Sequence, residues 1–217
     1  MIHVYGIVDE LDSLPSLAGL DDAPLERRYV EGLEFVVSDA SDGEVTQQAV
    51  LRHAQVVEEL MARSAGVLPA QFSRGFGDEG ELEAAVRMKA RELRRGLSRV
   101  RGCVEFGLRA VVPAGRTNEP SAPSGAEYMQ ARLAQERQRA ELVAKLDKPL
   151  ARLSRAAAPA PRSSGTLFES AYLVSEENVA EFTRAVRRLE AAFPELTVVC
   201  TGPWPPYSFG ASPEGPG

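Results

Sequence analysis

The feature that most restricts how this chain can end is three prolines within four positions, Pro203, Pro205 and Pro206. They lie in Thr201-Gly202-Pro203-Trp204-Pro205-Pro206-Tyr207-Ser208-Phe209, beside the only tryptophan of the 217 residues. Proline fixes φ near −65° and has no N–H, so the apolar strand expected over residues 196–201 should stop before Pro203. Gly202 supplies a turn, and the prolines favour a polyproline II course of about three residues per turn. At that pitch Trp204 and Tyr207 project from the same side. Such a strip either folds back to seal the domain or forms part of a docking surface. Our expectation is that Trp204 packs inward on the helix over residues 179–193 or its sheet. Trp204, Tyr207 and Phe209 are the candidate protein-binding residues, of which Tyr207 and Phe209 should lie nearer the surface and contribute to binding.

Upstream, β-branched and aromatic residues mark a strand over residues 2–8. Residues 27–30 and 33–38 read as a hairpin around Glu31-Gly32. Asp39-Ala40-Ser41-Asp42-Gly43-Glu44 lacks the alternating carboxylates and distal glutamate of a calcium loop, so it reads as a turn and helix start. A helix over residues 45–63 should present Val50, His53, Val57 and Leu60 on one face. A lone histidine there is a packing residue rather than a base or ligand, because His3 lies in another element. A short strand over 67–72 follows.

Gly75-Phe76-Gly77-Asp78-Glu79-Gly80 matches G-x-G-x-x-G in form. However, Asp78 and Glu79 put negative charge where a pyrophosphate would bind, and three strands already precede the one that leads into the motif. The better reading is a glycine loop feeding a helix capped by Asp78, with Glu81 completing a capping box. That helix, over 79–100, carries Leu82, Val86, Leu93, Leu97 and Val100 as one stripe.

A strand over 103–112 comes next, then a loop over 113–124. Ser124 and Glu127 form a second capping box, opening a long charged helix to about residue 155. Its narrow seam of Met129, Leu133, Ala140, Val143, Leu150 and Leu153 suits a sheet or a partner helix, and the sheet is favoured because the second half needs this helix as its cover; self-association is the alternative. Residues 156–165 read as a flexible linker. A strand over 166–174 leads to a helix striped by Val179, Phe182, Val186, Leu189 and Phe193, and a last strand enters the proline strip.

The fold class is therefore α+β in two domains: an N-terminal mixed α+β unit over 1–100 and a modified ferredoxin-like domain with an aromatic and proline-rich tail over 101–217. From residue 103 the order is strand, helix, strand, helix, strand, a ferredoxin-like pattern lacking one strand. Lys plus Arg number 25 against 31 Asp plus Glu, a net charge of −6, which argues against a general nucleic-acid binder. No apolar run approaches the ~20 residues of a membrane span, and nothing resembles a signal peptide. Cys103 and Cys200 have no metal-ligand spacing and read as buried free thiols in a reducing cytoplasm. No nucleophile–base pair, metal cluster or phosphate loop survives inspection, so neither an enzyme nor a cofactor is expected.

The C-terminal GPWPPYSF after a short hydrophobic strand resembles the signature of the gas vesicle protein F/L family. Three further segments resemble that family in the expected order. These are Val4-Tyr5-Gly6-Ile7-Val8, then His53-Ala54 through Val67-Leu68-Pro69 with Phe72, then Phe168 with Ala171-Tyr172-Leu173-Val174. One departure is Pro69-Ala70-Gln71-Phe72-Ser73, where the family usually has Pro-x-Arg-Phe-Gly; no role of that arginine carries over. The resemblance implies two domains, the second a modified ferredoxin-like one, and a cytoplasmic, gas-vesicle-associated assembly factor. Its implied partners are the small hydrophobic shell subunit (GvpA-like) and other gas vesicle accessory proteins. The rival from another class is a ligand-sensing regulatory protein built on a ferredoxin-like domain.

Overall fold

In a computed structural model of the chain, which describes residues 1–40, 46–72, 75–112, 124–159 and 165–210, the protein is α+β. The described residues form eight strands and four helices, arranged as two four-stranded antiparallel sheets. Two compact units are distinguishable, Met1–Glu105 together with the tail from Pro203, and Phe106–Gly202.

The first sheet has the order β2-β3-β1-β4, from β1 (Ile2–Asp9), β2 (Glu26–Val30), β3 (Leu33–Asp39) and β4 (Gly66–Pro69). The β2–β3 hairpin turns on Glu31 and Gly32 with φ of 51° and 71°, the double left-handed geometry of a two-residue turn. β1 is buried along six of its eight residues because α1 (Gln47–Arg63) and α2 (Glu79–Val100) both pack against it. Its pairing with β3 shifts register between Val4 and Gly6, a bulge at Tyr5.

Thr46 caps α1 by accepting the Ala49 N–H at 3.1 Å. The buried face is His53, Val56, Val57 and Leu60, and Val50, expected on it, is exposed. At about 100° per residue Val50 lies roughly 70° round the helix from the centre of that face. α2 buries all five stripe residues expected of it, with Ala90 and Gly96 between them. The calcium-like segment lies mostly outside the described residues, as do the loop over 113–123 and residues 160–164.

The second sheet has the order β6-β7-β5-β8, from β5 (Cys103–Val111), β6 (Ala156–Pro159), β7 (Thr166–Ser175) and β8 (Thr197–Trp204). With α3 (Gly125–Ala151) and α4 (Val179–Ala192) the order is β-α-β-β-α-β, the full ferredoxin-like set. The strand expected to be missing is β6, which corrects the linker reading for residues 156–159. Ala-Ala-Ala-Pro has little strand propensity of its own, and its pairing with Ser170 to Leu173 of β7 makes it a strand.

Ser124 caps α3 as expected, accepting the Glu127 N–H at 3.3 Å and donating to its carboxylate at 2.8 Å. The seam, however, is covered only toward its C-terminal end. Leu146 and Leu150 are fully buried, while Met129 and Leu133 are 58% and 57% exposed. Asp147, a charge on that seam, accepts the Tyr172 hydroxyl at 2.8 Å, which accounts for its place there. α4 buries Phe182, Ala185, Val186 and Leu189, and Phe182 stacks on Phe106 with centroids 5.0 Å apart.

A further correction concerns the end of β8, which runs through Pro203 to Trp204 rather than stopping before it. β8 lies at the edge of its sheet, where a residue without an N–H is tolerated because one row of backbone groups has no strand partner among the described residues. Neither cysteine is in a disulfide; Cys103 is buried, but Cys200, expected to be buried too, is only partly so. Burial pushes the Cys200 thiol up, with Glu190 adding to the shift. No helix of the described residues is long and apolar enough to cross a membrane.

Candidate functional site

The C-terminal strip is held to the first unit by several independent contacts. After Trp204, Pro205 and Pro206 are buried, and the chain then curls. The Tyr207 N–H donates to the Pro205 carbonyl at 2.8 Å and the Phe209 N–H to the Pro206 carbonyl at 3.2 Å. Polyproline II has no such internal bonds, so the helical strip expected from the prolines ends there. Ser208 donates twice to Glu105, from its N–H at 2.8 Å and its hydroxyl at 2.7 Å. Tyr207 packs against the cluster of Tyr5, Val8, Leu11, Val36 and Leu60, and burial pushes its hydroxyl up to about 12, with Glu58 nearby.

The strip's aromatic residues are thus oriented opposite to expectation. Phe209 is 7% exposed and Tyr207 is half-buried, whereas Trp204 is 46% exposed. The curl after Pro206 is the physical reason. It turns Tyr207 and Phe209 into the first unit, leaving Trp204 as the last residue of an edge strand. The three aromatics therefore do not share one face, and only Trp204 presents a large apolar surface to solvent.

A second constellation joins residues from separate elements. His3 Nε2 lies 2.8 Å from His53 Nδ1, and His53 Nε2 lies 2.9 Å from the Ala70 carbonyl oxygen. A carbonyl only accepts, so His53 carries its proton on Nε2 and its Nδ1 accepts from the Nε2–H of His3. Burial lowers both: His3 to about 3, with the proximity of His53 adding to the effect, and His53 in the same direction. Phe72 and Tyr5 pack their rings around the pair. Tyr5 is fixed in turn: its hydroxyl accepts the Leu20 N–H at 2.7 Å and shares a hydrogen bond with Ser38 at 2.9 Å.

This pair was missed because fifty positions separate its members. One signal was available. Strand alternation puts His3 and Tyr5 on one side of β1, and His53 lies on the apolar stripe of the helix that must cover that strand. Among the described residues no group of three or more potential ligands could hold a metal ion. The two ring nitrogens that face each other share a proton, so the pair acts as a buried polar joint among β1, α1 and the segment after β4.

The glycine motif has a structural use at each end. Ile2 and Phe76 exchange backbone bonds of 2.7 and 2.8 Å, and a Cβ on Gly75 would overlap the Ile2 carbonyl. Asp78 accepts the Glu81 N–H at 2.9 Å, and the Glu81 carboxylate accepts the Gly77 N–H at 2.6 Å. Carboxylates therefore occupy donors that a phosphate would need. Glu176 and Glu177 lie in the 3-10 turn Glu176–Asn178 that leads into α4, where acids suit the helix dipole.

The profile of the family described as "Gas vesicle synthesis protein GvpL/GvpF" matches residues 1–211. Gas vesicle protein F2 of Halobacterium salinarum is 29% identical over 220 residues, covering 96% of this chain and 91% of that protein. Gas vesicle protein F of Haloferax mediterranei is 28% identical, with 96% and 92% covered. The fold is that of two crystal structures, the gas vesicle protein GvpF from Anabaena sp. and from Microcystis aeruginosa. Each superposes with a TM-score of 0.78 at 18% identity over 96% of this chain, covering 94% and 98% of those chains.

Proposed function

The chain belongs to the gas vesicle synthesis protein GvpL/GvpF family and takes part in gas vesicle formation, where we propose that it binds the small hydrophobic shell subunit (GvpA-like) through Trp204. The observation that carries this reading is the contrast within the strip. Trp204 is 46% exposed although the residues that follow it are buried or hydrogen-bonded, so its exposure does not come from a loose end. A large aromatic held in place on a rigid backbone loses little entropy on docking, and tryptophan is among the residues enriched at binding hot spots. Tyr207 and Phe209, named with Trp204 as candidate binding residues, act in this proposal by holding the strip.

A shell subunit with apolar surface must be kept from uncontrolled association until it is built into the wall. Covering that surface with a partner's exposed aromatic group and sheet edge serves this need. Other gas vesicle accessory proteins are further proposed partners. A ferredoxin-like sheet alone would serve a ligand-sensing regulator as well, but the anchored, outward Trp204 favours docking.

The test is capture of co-expressed shell subunit by the tagged full chain, repeated with Trp204→Ala. The expected result is capture by the parent protein and a loss of about 30-fold in affinity for the variant, equivalent to roughly 2 kcal/mol. Equal capture by both would overturn the role of Trp204, and no capture by either would overturn shell binding.

A further inference from the structure

Among the described residues each sheet has two edge strands, β2 and β4 in the first, β6 and β8 in the second. An edge presents a row of backbone donors and acceptors away from its single neighbour, and proteins protect such rows with charge, shortness or proline. Three of these four edges carry that protection. β2 begins Glu26-Arg27-Arg28, and β4 and β6 are four residues long and end at Pro69 and Pro159. β8 differs: it is eight residues long and holds no charged residue. Four of its first five residues, Thr197, Val198, Val199 and Thr201, are β-branched, and Val199 is 44% exposed. Proline enters only at its seventh position.

We propose that β8 is a strand-addition edge, which takes an extended, uncharged, β-branched segment of the partner as a fifth strand of the second sheet. This rests on the reading that the partner is the shell subunit, and it adds the mode of binding. Main-chain hydrogen bonds along residues 197–202 hold the added strand, and Val199 contacts its side chains. A neutral strand selects a neutral partner segment, since a charged residue brought alongside loses solvation and meets no opposite charge on β8 itself, and Glu190 near Cys200 repels an acidic one. A second copy of this chain is disfavoured, because two copies each carrying −6 repel and β8 holds no charged residue to offset that.

The experiment is amide hydrogen exchange on the full chain, alone and in complex with co-purified shell subunit, with capture measured in parallel. In the free protein alternate amides of residues 197–202 should exchange fast, and in the complex they should slow by at least about tenfold. Val199→Lys, which adds the charge that other edges carry, should lower capture at least about tenfold, while Val199→Thr should preserve it. A complex that forms with β8 exchange unchanged overturns strand addition and leaves shell binding intact. Absence of any complex overturns both. Protection that appears in the free protein as its concentration rises assigns the edge to a second copy, and also overturns the proposal.

Discussion

His3 and His53, fifty residues apart, share one proton across 2.8 Å inside the first unit, where neither ring is accessible enough to be readily charged. The pair is held from both sides, since His53 donates onward to the Ala70 carbonyl and Tyr5 stacks on the same ring. It connects β1, α1 and the segment after β4 through hydrogen bonds as well as packing.

This pair makes stability depend on pH with a definite sign. Folding lowers the affinity of both rings for protons, so the unfolded chain binds more protons below the ordinary histidine value of about 6.5. The stabilisation is complete above that value and is lost as pH falls toward the lowered one, about 3 for His3. Between pH 7 and pH 5 the unfolding free energy should drop by about 2 kcal/mol from His3. Denaturant titrations at several pH values measure it, and His3→Gln should flatten the slope. An unchanged slope in that variant would contradict the assignment.

Within the strip, stability and exposure should separate. Phe209→Ala should cost about 3 kcal/mol, as large truncations in cores do, whereas Trp204→Ala should change stability by less than about 1 kcal/mol. Thermal and denaturant melts of the two variants decide this. Equal destabilisation would mean that Trp204 is part of the core after all.

The tail should be needed for the first unit to be stable. A chain ending at Gly202 removes Tyr207 from the surface of the cluster around Tyr5 and Leu60, together with the buried Pro205, Pro206 and Phe209. It should bind a hydrophobic dye and melt well below the parent. Glu105→Ala, which leaves Ser208 without its acceptor, should cost only about 1 kcal/mol. Parent-like melting of the shortened chain would refute this account of the tail.

The glycine motif allows a contrast between two of its members. Gly75→Ala forces a methyl group into the Ile2 carbonyl and should destabilise by about 1–3 kcal/mol. At Gly77 the nearest obstacle, at 3.0 Å, is the end of the flexible Glu81 side chain, so Gly77→Ala should be milder. The reverse order in melting experiments would rule out this reading.

Thiol labelling should be ordered as well. Cys103, buried at the start of β5, should react only on unfolding, while Cys200, partly exposed on β8, should react first and slowly because burial raises its thiol. Faster labelling at Cys103 would contradict this order.

Much of the fold was legible because it is local. The stripe of α2, the capping boxes at Asp78 and Ser124, and the turn at Glu31-Gly32 each depend on residues within a few positions of one another. The GPWPPYSF stretch likewise pointed to the family that the whole chain matches. β6 was not legible, because Ala156-Ala157-Ala158-Pro159 becomes a strand only through the edge that β7 offers it.

The candidate site divides along the same line. Sequence alone determined that the chain ends in a proline-stiffened aromatic strip after a neutral strand, and that His53 lies on a helix face meant for burial. Only the tertiary structure decided that His53 meets His3, that Tyr207 and Phe209 turn inward, and that Trp204 stays in solvent. The reason is physical: backbone preferences act over a few residues, whereas the direction in which a side chain points after a turn depends on which distant surface is there to receive it. For Tyr207 that surface is the cluster around Tyr5 and Leu60, with Glu105 holding the next residue, Ser208.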